Sequence, residues 1–318
     1  MMGRPPKSSG PCFCLALLCV TIVFTIKGDA QDDEIRVNTD LVTVPVAVVD
    51  RNGRYLPELR KENFRVFENG VEQQVEYFEP IQQPFTVLLL LDSSGSMHEQ
   101  KAKMVSAVNL FLSKLRPDDE VIAFEYAHLI KNILSLTKAK NISTPIKVNK
   151  WWGGEESTVT FDAVELALKK MKKIRGRKAI ILFSDGEQYG KGATARSNLE
   201  DAEEQEAMIY TILFKDFSEW SQTLNKEKYA SGVSKIMNYM RGLPRLTGAR
   251  YFHIDEIDSL DETFIQIAEE LGQQYRIGYY PNEIGKRGER RRIKVQVNVP
   301  GAAIRARDSY VAGANTND

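Results

Sequence analysis

Val87-Leu88-Leu89-Leu90-Leu91-Asp92-Ser93-Ser94-Gly95-Ser96 joins five consecutive apolar residues to a short polar loop. A strand with one wet face alternates polar and apolar side chains. An unbroken run such as VLLLL instead fits a strand covered on both faces, as in the parallel sheets of α/β proteins. The polar loop then lies at the carboxyl end of that strand. In open α/β sheets this is the edge where ligands collect, and Gly95 permits the sharp bend that such a loop requires.

The segments that follow agree with this reading. Val105, Val108, Leu112 and Leu115 recur at three- and four-residue spacing and predict a helix. Val121 to Phe124 and Ile130 to Leu136 read as strands, and Phe161 to Met171 as a helix with Val164, Leu168 and Met171 on one face. Ile180 to Phe183 and Met208 to Phe214 are further buried strands, with a weaker one at Tyr251-Phe252. A closing helix carries Leu260, Phe264, Ile267 and Leu271 and ends at Gly272. Strands alternating with helices imply a mostly parallel sheet with helices on both faces.

Both flanks have β character. Leu41 to Val49 is rich in β-branched residues and ends at the turn signal Asp50-Arg51-Asn52-Gly53. Phe64 to Phe67 and Val71 to Phe78 surround Asn69-Gly70, a pair that favours a tight hairpin. After the closing helix, Gln274 to Tyr280, Ile293 to Val299 and Ala303 to Ala306 are short strand candidates. Strands at each end of one α/β block suggest that the flanks pair, with the Rossmann-like block inserted into a small β-sandwich. The basic run Lys286 to Lys294 reads as a solvated hairpin, and contact with an anionic surface is the alternative. The expected division is 1–30 signal peptide, 31–82 N-terminal β flank, 83–273 α/β domain and 274–318 C-terminal β flank.

Asp92, Ser94 and Ser96 can aim one carboxylate and two hydroxyls at a single point. These are hard oxygen donors suited to Mg²⁺ or Mn²⁺. Alone, a Ser-rich loop opening a helix is often no more than an N-cap. Asp185-Gly186 ends another buried strand, however, and Thr158 stands in the loop before the Phe161 helix. With these residues the chain resembles the von Willebrand factor A (VWA) family, whose metal-ion-dependent adhesion site combines Asp-x-Ser-x-Ser with a loop threonine and a later strand-end aspartate. The flanks resemble those of the VWFA-related proteins catalogued from acidobacterial genomes. The resemblance implies a Rossmann-like VWA domain and a Mg²⁺ or Mn²⁺ site at Asp92, Ser94, Ser96, Thr158 and Asp185. The loop Trp151-Trp152-Gly153-Gly154-Glu155-Glu156-Ser157 is unusually aromatic and acidic, and Ser157 or Thr160 could replace Thr158. Trp151 and Tyr189 are candidates for an aromatic rim around a bound partner.

Only Asp92 and Asp185 bring charge to this donor set, so a divalent ion held there would stay electrophilic and keep an open position. The expectation is a metal-dependent protein-interaction module, in adhesion or envelope assembly, that takes a carboxylate of a protein partner. The alternative is a metal-dependent hydrolase using the same site. His98, His128 and His253 stand in different contexts, and no Ser/His/Asp arrangement or nucleophile elbow is legible. No glycine-rich phosphate-binding motif follows a strand, which argues against nucleotide binding.

Arg4 and Lys7 precede an apolar run from Cys12 to Ile26, and Gly28 and Ala30 supply small residues before Gln31. This is the pattern of a cleavable signal peptide, so the expected location is secreted, periplasmic or cell envelope. Membrane attachment is expected only if the segment is retained. Cys12, Cys14 and Cys19 all fall within it, leaving a mature chain without disulfides to rely on its own core. Removing Arg4, Lys7, Lys27 and Asp29 takes the 43 basic and 43 acidic residues to 40 and 42. So even a balance lacks the basic footprint of a nucleic-acid binder. Mass analysis of the exported protein is expected to find Gln31, or its cyclised form, at the N-terminus; recovery of Cys12 to Ile26 in a membrane fraction would instead identify an anchor.

Overall fold

The computed structural model describes residues 41–80, 83–143, 145–148, 158–188, 190–215, 226–283 and 285–313, with 226–233 described by backbone alone. The expected signal segment 1–30 lies outside the described residues. Fourteen strands are described: β1 (Val42–Val49), β2 (Phe64–Glu68), β3 (Val71–Gln73), β4 (Val75–Glu79), β5 (Phe85–Asp92), β6 (Glu120–Tyr126), β7 (Ile130–Lys138), β8 (Arg177–Ser184), β9 (Met208–Phe214), β10 (Tyr251–Ile254), β11 (Gln274–Tyr279), β12 (Arg290–Val297), β13 (Ala303–Ala306) and β14 (Ser309–Val311). The α-helices are α1 (Lys101–Lys114), α2 (Thr160–Lys172), α3 (Ala195–Glu203), α4 (Lys226–Thr247) and α5 (Leu260–Gly272).

The central sheet runs β10-β9-β8-β5-β6-β7. All its pairings are parallel except β6 with β7 at one edge. The period of two along β5 divides its apolar run between two cores. Phe85, Val87, Leu89 and Leu91 pack with Met104, Val108 and Phe111 of α1 and with Phe264 and Ile267 of α5. Leu88 and Leu90 face the other way, onto Val164, Leu168 and Met171 of α2 and onto Tyr239, Met240 and Leu243 of α4. Each fully buried side chain of this size contributes about 1.5–3 kcal/mol, so the strand is stable only between two helical layers. No helix among the described residues is long and apolar enough to cross a membrane.

The two flanks meet as expected. One sheet runs β13-β1-β11-β4 and the other β14-β12-β2-β3. They share a core of Val44, Val46, Val66, Tyr275, Ile277 and Ile293. The chain leaves this sandwich at β4 and returns at β11, and those strands are antiparallel neighbours. Arg177, at the amino end of β8, ties both crossings: its guanidinium donates to the Gln83 carbonyl at 2.7 Å and to the Leu271 carbonyl.

Local details depart from the sequence reading. The run Val71 to Phe78 is not one strand. It breaks at Gln74, so β3 completes a hairpin with β2 while β4 joins the opposite sheet. The hairpin turn is as expected, with Asn69 at φ 49° and Gly70 at φ 88°. The basic run is not a simple solvated hairpin either, because it carries the chain from the sheet of β11 to that of β12. Alternation then buries Arg291, whose Nη1 lies 2.7 Å from Glu68. Glu68 also accepts from the Tyr279 and Tyr310 hydroxyls at 2.8 Å each. Helices α3 and α4 and strand β14 were not foreseen. The α3 sequence ARSNLEDAE is polar, and α4 contains Pro244.

Strand β1 sits between β13 and β11, and β2 pairs with β12 as well as β3, so the N-terminal flank depends on partners from the far end of the chain. Truncation after Gly272 is expected to speed proteolytic cleavage within 41–78 by about tenfold or more while the α/β core resists, because cleavage follows local opening. Unchanged protection of 41–78 would show that the flanks are independent.

Candidate functional site

The strand order places the site. From β5 the chain steps to β6 on one side, then later returns to β8 on the other, so the connections diverge between β5 and β8. A crevice opens outside the carboxyl ends of strands at such a point. Asp92 ends β5, and Asp185 directly follows β8. Both are buried, as are Ser94 and Thr158.

The loop after β5 wraps around its own carboxylate. The Ser94 amide donates to Asp92 Oδ1 at 3.0 Å, and the Ser184 hydroxyl donates to Oδ2 at 2.7 Å. Ser184 in turn accepts from the Gly186 amide at 2.9 Å, linking the two strand ends. The Ser94 and Ser96 hydroxyls lie 3.1 Å apart. Asp185 accepts from the Glu187 amide at 3.0 Å. Thr158 lies in a segment pinned by two backbone bonds: the Val159 amide donates to the Ala127 carbonyl at 2.8 Å, and the Gly190 amide to the Thr158 carbonyl at 3.3 Å. The Thr160 hydroxyl donates to the Glu187 carbonyl at 2.7 Å and so is engaged in holding that loop. Ser157, Trp151 and Tyr189 lie outside the described residues, as do Trp152 and Trp220.

Gly186 has φ +83°, a conformation that only glycine adopts without strain. A Cβ there would come within 2.4 Å of the Ile236 side chain on α4. The residue after Asp185 is therefore held between its own turn and a helix. On the other loop, Asp162 of α2 accepts from the Ala193 amide at 2.8 Å.

Three participants escaped the sequence reading. Ser184 orients Asp92, and its signal was the hydroxyl residue at the end of an apolar strand beside Asp185. Tyr126 pairs in register with Asp92 and is fully buried, yet its hydroxyl has no hydrogen-bond partner of ordinary geometry. Burial, and then the Asp92 charge, push that phenol well above its usual range. Glu187 is half-buried with Lys215 Nζ 3.6 Å away. Its carboxyl is raised by burial and then by Asp185, against the opposing pull of Lys215.

Burial, followed by the neighbouring Asp185 carboxylate, pushes Asp92 up to about 7. Two neighbouring carboxylates leave the cradle short of positive charge. Its donors are carboxylate and hydroxyl oxygens, a set that suits a hard divalent cation. Among the described residues no group of three or more His, Cys, Asp or Glu is placed to hold a metal, so an ion here would depend on the hydroxyls.

The geometry defines an open α/β domain with a carboxylate–hydroxyl cradle at the switch point of its sheet. Within that class, the sequence model of the von Willebrand factor type A domain matches residues 87–188, from β5 to the loop beyond β8. Over those residues the α/β part of this chain is a von Willebrand factor type A domain. Among solved structures, the chain is similar to proximal thread matrix protein 1 from the mussel byssus, at 12% identity and TM-score 0.47, covering 70% of this chain and 49% of that one. A second structure of that mussel protein has a zinc-occupied MIDAS motif. The chain thus spans about half the length of the mussel protein it matches. It is also similar to a von Willebrand factor type A protein from Catenulispora acidiphila, at 11% identity and TM-score 0.44 over 86% of this chain and 75% of that one. A third likeness is to an aerotolerance-related membrane protein from Bacteroides fragilis, at 17% identity and TM-score 0.41 over 59% and 98%. No curated protein matches the chain.

Because the folded state holds the Asp92 proton more tightly than the unfolded chain does, the pair weakens the metal-free fold as pH rises. The penalty grows from about pH 4, where the unfolded carboxyl ionises, to about 7, where Asp92 ionises in the fold. In chelator, Asp92→Asn is expected to remove that part of the pH dependence and to melt higher than the parent at pH 8. The gain should be about 2–4 °C for each kcal/mol of burial and repulsion penalty relieved. Parallel melting curves across this range would overturn the reading.

Proposed function

We propose that this protein is an exported interaction module whose VWA domain uses a Mg²⁺ or Mn²⁺ site, held by Asp92, Ser94, Ser96, Thr158 and Asp185, to bind a carboxylate of a protein partner. What carries the reading is the cradle itself: two carboxylates at adjacent strand ends, with the Ser94 and Ser96 hydroxyls 3.1 Å apart beside them. A bound divalent ion supplies positive charge and an open position for an incoming oxygen. The chain's residues do the rest. Ser184 and the Ser94 amide fix the Asp92 carboxylate, while Thr160 and Gly186 set the path of the loop that carries Asp185. The role is in adhesion or envelope assembly, after export by the N-terminal segment. Binding rather than catalysis follows from the donor chemistry, since mainly neutral hydroxyls leave the ion electrophilic toward a carboxylate ligand.

Calorimetry with MgCl₂ or MnCl₂ is expected to show saturable binding to the parent, with Asp92→Ala and Asp185→Ala each weakening it about tenfold or more. Both ions should raise the melting temperature of the parent by mass action and leave the two variants unmoved. Pull-down from envelope extracts should recover an EDTA-sensitive partner, and changing its contacting acidic residue to the amide should abolish capture. Equal metal affinity in Asp92→Ala would refute the site. Mg²⁺-dependent turnover of an ester, phosphate or peptide, lost in Asp92→Ala, would favour the hydrolase.

A further inference from the structure

The β-sandwich and the VWA domain enclose an open cleft of about 1280 Å³ that the proposed metal site does not use. One wall is the outer face of β12 and β2, where alternation turns Arg290, Arg292 and Lys294 outward and Phe67 lies opposite Lys294. The other wall is formed by α3 and α4 and includes Arg245 and Leu246. Several charges in the cleft are already matched. Arg290 pairs with the buried Glu203, and Arg196 with Glu200 at 2.8 Å. Arg292, Lys294 and Arg245 differ, for among the described residues none has an ion-pair partner although all three line the cleft. Arg292 and Lys294 stand two residues apart on a strand, a separation of about 6.6–6.8 Å. An extended polypeptide repeats its same-side chains at that interval.

We propose that this cleft is a second binding surface, for an extended protein segment carrying acidic residues at alternate positions. Charge complementarity selects an anionic occupant, because three unmatched cations converge on one channel. Asp308, which also lines the cleft, would repel a uniformly charged phosphate or sulfate polymer, whereas a peptide can place a neutral residue against it. Phe67 and Leu199 offer apolar contact for such neutral positions. Engagement is electrostatic and independent of a metal ion.

The test uses fluorescence anisotropy of a labelled twelve-residue peptide of alternating Glu and Thr, with the full chain in EDTA. Saturable binding is expected, falling steeply with added salt. The paired change R292E/K294E should weaken it about tenfold or more. Should that charge reversal unfold the protein, R292A and K294A, which only truncate exposed side chains, are expected to weaken binding severalfold each. K169E, on the exposed face of α2, should bind like the parent. D92A should also bind like the parent, which separates this surface from the metal site. Three results would each overturn the proposal: equal binding of a Gln-Thr peptide, unchanged affinity in the Arg292 and Lys294 variants, or tighter binding of a single-stranded oligonucleotide or sulfated oligosaccharide than of the Glu peptide.

Discussion

The rest of the molecule depends on the complete burial of β5. Every residue from Phe85 to Asp92 is shielded from water, including the carboxylate at its end. Burying the apolar part is strongly favourable, but it demands a helical layer on each face and fixes the strand at the centre of the sheet. The same placement drives Asp92 into a low-dielectric position that an isolated carboxylate would avoid. Hydrogen bonds from Ser94 and Ser184 offset part of that cost. The remainder is left as electrostatic demand, and this makes the carboxyl edge a place where a cation would be welcome. Hydrophobic packing and site chemistry are thus two ends of one strand.

A second constraint joins the VWA domain to the sandwich through buried ions rather than an apolar seam. Glu270 of α5 is fully buried and accepts from Tyr210 at 2.8 Å and Tyr55 at 3.1 Å, with Arg305 of β13 2.5 Å away. Burial, and then the Glu270 charge, raise the Tyr55 phenol to about 12. Arg307 is buried among the Glu203, Gln205 and Ser309 carbonyls. Gly248 lets the end of α4 approach the backbone of Ala306 and Arg307, where a Cβ would stand 2.6 Å from the Arg307 nitrogen. Removing the partners of Glu270 would leave a buried charge uncompensated, which is strongly destabilising. These contacts hold β12 and β13 against α3, α4 and α5, and the cleft lined by Arg292, Lys294 and Arg245 is what that geometry leaves open.

The sequence by itself determined the parts governed by short-range pattern. VLLLL fixed a two-sided strand, the three- and four-residue spacings of α1, α2 and α5 fixed their buried faces, and Asn69-Gly70 fixed a turn that requires positive φ. The spacing of Asp92, Ser94 and Ser96, with Asp185 at another strand end, named the candidate donors. Only the tertiary structure decided what depends on residues distant in the chain. The break at Gln74 that sends β3 and β4 into different sheets is set by their partners, β2 for one and β11 for the other, which lie elsewhere in the chain. Arg291 looks solvated in a basic run until Glu68, contributed from β2, makes its burial tolerable. Tyr126 became part of the site through cross-strand register with β5 and Ser184 through its hydrogen bond to Asp92, and α3 went unread because its buried Asn198 and Glu203 are polar residues whose bonding partners lie far away in sequence. Local propensity and periodicity are encoded within a dozen residues, whereas pairing, register and the matching of buried charges exist only once the chain has folded.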